Sequence, residues 1–187
     1  MFIAISGLSG SGKNTVIKRL SQMRPNLKVL THSTCTTRPP RESDGEFQTY
    51  VYMTEEDFRK GIEENLFIEH ENVHGYYYGT LKSAFEKVIE DSENDYIKDI
   101  DVKGAINLKK YLEKKTKMKT IFLDAPDKIL EERLRLRGES EERIKTRLSR
   151  GELERQYKNN YDLVIENIDL ELTLNAINEF LNMQDRN

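Results

Sequence analysis

The residues best suited to chemistry stand at the start of the chain, in Gly7-Leu8-Ser9-Gly10-Ser11-Gly12-Lys13. Gly-x-x-x-x-Gly-Lys, between an apolar run and a helical pattern, is the spacing of a P-loop. Its glycines allow tight backbone turns, so successive N–H groups point inward and form a concave nest for phosphate at the positive end of a helix. Lys13 adds a mobile point charge that can follow a phosphoryl group in transfer. The residue after this lysine, where a hydroxyl usually helps to hold Mg²⁺, is Asn14, and the hydroxyl comes one place later at Thr15. A second cluster lies in the long, polar and basic stretch from Thr31 to Phe47, which centres on Arg38-Pro39-Pro40-Arg41. Its two prolines rule out a regular helix or central strand, which predicts a long loop, either functional or disordered.

The elements that must position these groups follow from periodicity. Met1–Ser6 is a strand, residues 13 to about 23 a helix ending at Pro25, and Leu27–Leu30 a second strand. Gln48–Met53 alternates as a short strand, Thr54 opens a helix carrying Phe58, Ile62 and Leu66, and Gly75-Tyr76-Tyr77-Tyr78-Gly79 is a turn or hairpin. Helices and strands then alternate: a helix from about Leu81 to Glu90, a strand over Tyr96–Asp101, a helix over Val102–Lys115 and a strand over Lys119–Asp124. A highly charged helical stretch from Asp127, broken near Gly138, resumes from Ser140 to about Lys158. Tyr161–Ile165 is the last strand, and Asp169 opens a final amphipathic helix. Such alternation predicts an α/β fold with a doubly wound, mainly parallel sheet that binds ligands at the carboxyl ends of its strands.

Composition limits the alternatives. At 187 residues, the chain is long enough for one sizeable core with a small insertion. With 36 % hydrophobic and 34 % charged residues, no stretch approaches the roughly 20 apolar residues of a membrane span. Met1 leads straight into a core strand, so a cytoplasmic protein without membrane association is expected. Cys35 is the single cysteine, which excludes an internal disulfide or a cysteine metal cluster. His32, His70 and His74 are scattered and read as ordinary surface or loop residues. A net charge of −3 argues against nonspecific nucleic-acid binding, so an anionic small substrate would need a local cluster of arginines.

With the P-loop, four further motifs stand in order: Ser33-Thr34-Cys35-Thr36-Thr37-Arg38-Pro39-Pro40-Arg41, Phe67-Ile68-Glu69, Gly75-Tyr76-Tyr77-Tyr78-Gly79-Thr80 and Asp99-Ile100-Asp101-Val102-Lys103-Gly104. In these the chain resembles guanylate kinases over nearly its full length. The resemblance implies transfer of the γ-phosphoryl of ATP to GMP, and to dGMP, with Mg²⁺. It also implies a P-loop NTPase-type parallel sheet flanked by helices, with a small β-rich GMP-binding insertion and a helical lid. The single domain, 1–187, would divide into a core of about 1–33, 81–126 and 160–187, a GMP-binding part of about 34–80 and a lid of about 127–159. ATP would be held by Gly7, Ser9, Gly10, Ser11, Gly12, Lys13, Asn14, Thr15, Arg137 and Asn167. For Asn167, which matches an asparagine near the adenine, a simple turn or cap remains an alternative.

GMP would be held by Thr34, Arg38, Arg41, Tyr50, Glu69, Tyr78, Thr80 and Asp101. Arg38 and Arg41 can make bidentate contacts to its phosphate, to which the hydroxyls of Tyr50 and Tyr78 can also donate. Guanine presents two adjacent donors, N1–H and the exocyclic amine, which a carboxylate complements, whereas the adenine N1 is an acceptor and would repel it. Glu69 is the candidate for that carboxylate. Lys13, Arg38, Arg137 and Arg147 are the expected catalytic residues, the last two as lid arginines, whereas Arg133 and Arg135 read as a solvated, ion-paired face. Thr15 and Asp99 are the candidates for the metal, Asp99 either through water or in a structural bond to loop amides. The chain departs from the family pattern at Asn14, in the segment 42–46, at Lys98 and Lys103, and in a lid one residue short. Lys98 inside a strand is costly unless it reaches a carboxylate or a phosphate. The competing readings are another nucleoside monophosphate kinase or a catalytically silent binding module of the same fold. Assembly is expected to be monomeric or a small homo-oligomer.

Overall fold

Every side chain from Phe2 to Ser6 is buried, because the strand they form, β1 (Phe2–Gly7), has neighbours on both edges and helices on both faces. The computed structural model describes residues 1–40, 50–73 and 75–183. Arg41, the segment 42–46 and His74 lie outside the described residues. After β1 come α1 (Lys13–Met23), β2 (Leu27–Val29), β3 (Thr34–Thr36), β4 (Tyr50–Tyr52), α2 (Glu55–Glu63), β5 (Phe67–Val73), β6 (Tyr76–Leu81), α3 (Lys82–Glu90) and β7 (Asp95–Asp99). The chain continues through α4 (Val102–Leu112), β8 (Met118–Asp124), α5 (Asp127–Leu136), α6 (Glu141–Arg155), β9 (Leu163–Glu166) and α7 (Leu170–Met183).

Five strands form a parallel sheet in the order β2-β7-β1-β8-β9. Alternation along β1 sorts its side chains between two cores. Ile3 and Ile5 pack with Val16, Ile17 and Leu20 of α1 and with Leu174 and Ile177 of α7. Phe2 and Ala4 pack on the other face with Phe85 of α3 and Leu108 of α4. Since each helix covers one face, the loops at the strand ends gather along one rim, where the P-loop follows β1.

A second, mixed sheet has the order β4-β3-β6-β5. Its small core is aromatic: the Phe58 ring of α2 stacks on Phe67 at 4.6 Å and on Tyr77 at 5.3 Å, and Cys35 is buried beside them. The strand β3 corrects the expectation of an unbroken loop from Thr31. Thr34-Cys35-Thr36 suits a strand but is too short for periodicity to show, and only pairing with β4 and β6 reveals it. The other differences lie at element ends. β7 stops at Asp99 because Asp101 caps α4, its Oδ1 accepting from the N–H groups of Lys103 and Gly104 at 3.0 and 2.9 Å. Among the described residues no helix is long and apolar enough to cross a membrane.

Candidate active site

The P-loop is clamped before it begins to turn. Gly7 has φ +143°, and a Cβ there would lie 1.9 Å from the carbonyl oxygen of Leu123 on β8, so only glycine lets the two strands stay paired. At the other end Gly12, with φ +92°, precedes α1, and the Nδ2 of Asn167 packs where its side chain would be. Asn167 is 3 % exposed and donates from Nδ2 to the carbonyl of Ser11 at 2.8 Å. Its own N–H reaches the Asp124 carbonyl, so it ties the loop to the ends of β8 and β9.

The Lys13 ammonium lies back over the loop, donating to the carbonyls of Gly7 at 2.7 Å and Leu8 at 3.2 Å. Burial lowers its pKa; Asp99 and Glu154 oppose that, while Arg137 and Arg147 add to it. Arg147, on α6, donates from Nη1 to the Ser9 hydroxyl at 2.9 Å and from Nε to Glu139. The charged helical pair therefore already touches the phosphate loop. Its base is fixed by Arg155, whose guanidinium bonds both Asp124 and Asp127, with Lys158 also on Asp124.

A cleft of about 490 Å³ opens between the P-loop, the end of β7 and the small sheet. Gly7, Ser9, Lys13, Asp99 and Arg147 line its core side. Thr34, Tyr50, Glu69, Tyr78 and Thr80 line the opposite wall, with Asp101 at the N-terminal cap of α4. On that wall the Thr80 hydroxyl donates to the Glu69 carboxylate at 2.8 Å, across a register set by the pairing of β5 with β6. Arg38 is only 4 % exposed; its Nε donates to the Tyr78 hydroxyl at 3.1 Å, its Nη1 to the Pro39 carbonyl at 2.7 Å, and its guanidinium lies 5.3 Å from the centre of the Tyr50 ring. The two tyrosines meet edge to face at 6.2 Å. The outcome is a rigid arginine with aromatic and hydroxyl support, the form suited to planar recognition of a phosphate.

A second cleft, about 370 Å³, lies on the far side of the P-loop and is lined by Gly10, Gly12, Thr15, Arg133, Arg137 and Asn167, among others. The structure does not bring the two metal candidates together: Asp99 lines the first cleft and Thr15 the second. Thr15 follows Lys13 by two helical positions, about 200° around α1, so the two side chains point to opposite sides. Asn14 is exposed in the first turn of α1 and lines neither cleft.

Sequence reasoning missed three groups. Arg133 is not on a solvated face: its Nη2 donates to the Asn167 carbonyl at 2.9 Å and its Nη1 to that of Gly10 at 3.3 Å, joining both sides of the second cleft. The signal was its i,i+4 spacing from Arg137, which puts the two on one face of α5. Arg135 does hold exposed ion pairs, to Glu141 and Glu131. Arg150 and Glu154 reach the first cleft with Arg147, from one face of α6 at i, i+3 and i+7. Burial raises the pKa of Glu154, against the pull of Lys13 and Arg150. Lys103 instead meets Glu71 at 3.3 Å on the exposed side of β5.

Two clefts sharing one P-loop fit a reaction between two phosphorylated substrates, and comparison with known proteins gives the lineage. The profile of the guanylate kinase family matches residues 2–184. The chain belongs to the guanylate kinase family. The guanylate kinase of Bacteroides thetaiotaomicron is 40 % identical over 190 residues, covering 97 % of this chain and 90 % of that protein. That of Porphyromonas gingivalis is 40 % identical over 171 residues, covering 90 % and 89 %. The crystal structure of guanylate kinase from Anaplasma phagocytophilum has a TM-score of 0.68 at 24 % identity, covering 98 % of this chain and 85 % of that one. Shikimate kinase from Bacteroides thetaiotaomicron has a TM-score of 0.54 at 15 % identity, covering 97 % and 98 %. These two structures show the same P-loop kinase fold.

Proposed function

We propose that the first cleft takes GMP and the P-loop the phosphates of ATP, with the adenine in the second cleft. The chain is an ATP-dependent kinase that moves the γ-phosphoryl of ATP to GMP, giving ADP and GDP. The observation that carries the placement is a single cleft with the Glu69–Thr80 pair on one wall and Lys13 with Arg147 on the other. A guanine edge and a phosphate fit those two ends. In this reading Glu69 accepts from guanine N1–H and its amine, Thr34 and Thr80 add hydroxyls, Asp101 adds a carboxylate near the base, and Arg38 with Tyr50 and Tyr78 holds the acceptor phosphate. Asn167, whose buried Oδ1 has no hydrogen-bond partner among the described residues, has an acceptor to offer the adenine amine.

Little covalent work is asked of the protein. Arg38, Lys13, Arg137 and Arg147 neutralise converging phosphates and hold the acceptor oxygen in line, while closure of α5 and α6 would keep water from competing. ATP chemistry calls for a divalent ion, and the donor set fits Mg²⁺: the Asp99 carboxylate lies beside the phosphate loop, and a Mg²⁺ site needs one or two carboxylates besides substrate phosphates and water. Asp99 would hold it, through water, and when bound it supplies charge that offsets the phosphates. We assign Arg41 to the same acceptor phosphate on the family resemblance alone. The three-part division into core, 34–80 and 127–159, a cytoplasmic setting and a monomeric or small homo-oligomeric state complete the reading.

ADP formation with ATP and Mg²⁺ across GMP, dGMP, AMP, CMP, UMP and dTMP tests it. GMP as the best acceptor is expected; no GMP-dependent turnover from folded protein would overturn it in favour of a silent module. Glu69→Gln removes one acceptor and turns a donor toward guanine, so GMP preference over AMP should fall by about ten-fold or more in kcat/KM. Unchanged discrimination would place base reading elsewhere. Arg133→Met should raise KM for ATP by about ten-fold with KM for GMP unchanged, since it loosens only the second cleft. Steady-state titration of each substrate separates the two.

A further inference from the structure

Lys98 is the one lysine of β7, and the alternation of that strand determines where it points. Ile97 joins the core beneath α1 and α7, whereas Tyr96 and Ile100 pack with the α3 and α4 residues on the other face. Lys98 falls on this second face, opposite the side of Asp99, whose carboxylate acts on Lys13. It is 9 % exposed, pairs in register with Ala4, and lines the first cleft together with Phe85 of α3. Its stem is therefore in apolar surroundings, and it lines the same cleft as Glu69, Thr80 and Thr34. Among the described residues no hydrogen bond or ion pair to its ammonium is formed, and burial lowers its pKa with only Asp99 opposing.

A nearly buried ammonium without such a partner is costly, and a strand position of this kind accepts a leucine or methionine at no such cost. What the cleft is read to bind repays it. Along the guanine edge, the N1–H and amine that Glu69 would meet are followed by the carbonyl oxygen O6, an acceptor. Adenine presents an amine there instead. We propose that Lys98 is a specificity-determining residue that donates to O6 of the acceptor purine, completing beside Glu69 a donor-and-acceptor match to the guanine edge. The proposal rests on the assignment of this cleft to GMP. It gives a charge-assisted bond to guanine and places a cation against the amine of adenine, so selection against AMP has two sources.

The test compares wild type and Lys98→Met with GMP and with 6-thio-GMP, which keeps N1–H and the 2-amine but puts a poor acceptor at position 6. Methionine matches the length of the lysine stem and suits the apolar face, so folding, followed by thermal melting, is expected to be retained. Lys98→Met should lower kcat/KM for GMP by about ten-fold or more and that for 6-thio-GMP by about two-fold or less, with KM for ATP unchanged. Equal losses on both acceptors would mean a contact to phosphate, and no loss on GMP would mean no contact at all; either overturns the proposal. A wild type that does not prefer GMP to AMP would instead overturn the assignment of the cleft.

Discussion

Lys13→Met should lower the rate of phosphoryl transfer by roughly 10³-fold or more while the melting temperature stays close to that of wild type. The ammonium is the one side-chain cation of the P-loop itself, and its present bonds go to the loop's own carbonyls at Gly7 and Leu8. Those bonds are short-range and replaceable, whereas the loop is held by features that methionine leaves intact: Gly7 against Leu123, Asn167 against Ser11, and the buried Leu8. Single-turnover measurement with saturating ATP and GMP reads the chemical step directly. A rate within a few-fold of wild type would mean that the phosphates do not pass over this loop.

The second large effect is expected at Arg38. Both Arg38→Lys and Arg38→Gln should reduce kcat/KM for GMP by roughly 10²-fold or more and leave KM for ATP nearly unchanged. Lysine keeps the charge but lacks the planar fork, so it loses the Nε bond to Tyr78, the Nη1 bond to Pro39 and the face-on contact with Tyr50 together. The guanidinium is nearly buried, and both variants must first be shown by circular dichroism and thermal melting to keep the small sheet folded. If lysine restored full activity, charge alone would matter and the geometry around Arg38 would be incidental. An equal rise in KM for ATP would move the residue from the acceptor to the donor side.

The reaction class was legible because it depends on local features. A P-loop needs only a strand, glycines at set spacing and a lysine, all within fifteen residues, and the alternation of strands with helices follows from apolar periodicity that each segment carries itself. The motif holding Arg38, and the motifs holding Glu69 and Tyr78, pointed to the family for the same reason: each is contiguous. The sequence could likewise flag Lys98 as out of place in a strand, since its cost is a property of the residue and its element.

What only the tertiary structure decided concerns groups distant in the chain. β3 exists because β4 and β6 flank it, which no pattern of three residues can announce. Arg133 looked solvated because its partners, Gly10 and Asn167, are 123 and 34 residues away. Asn167 could be read as a turn or an adenine contact, and its bond to Ser11 across 156 residues shows that it also braces the P-loop. Thr15 and Asp99 are both metal candidates by residue type and by their places beside the P-loop motif, and the phase of α1 separates them into different clefts. Residue types and spacing determine which groups can do chemistry; which of them share a cavity depends on strand order and helix phase, and those are set by packing between segments far apart in the chain.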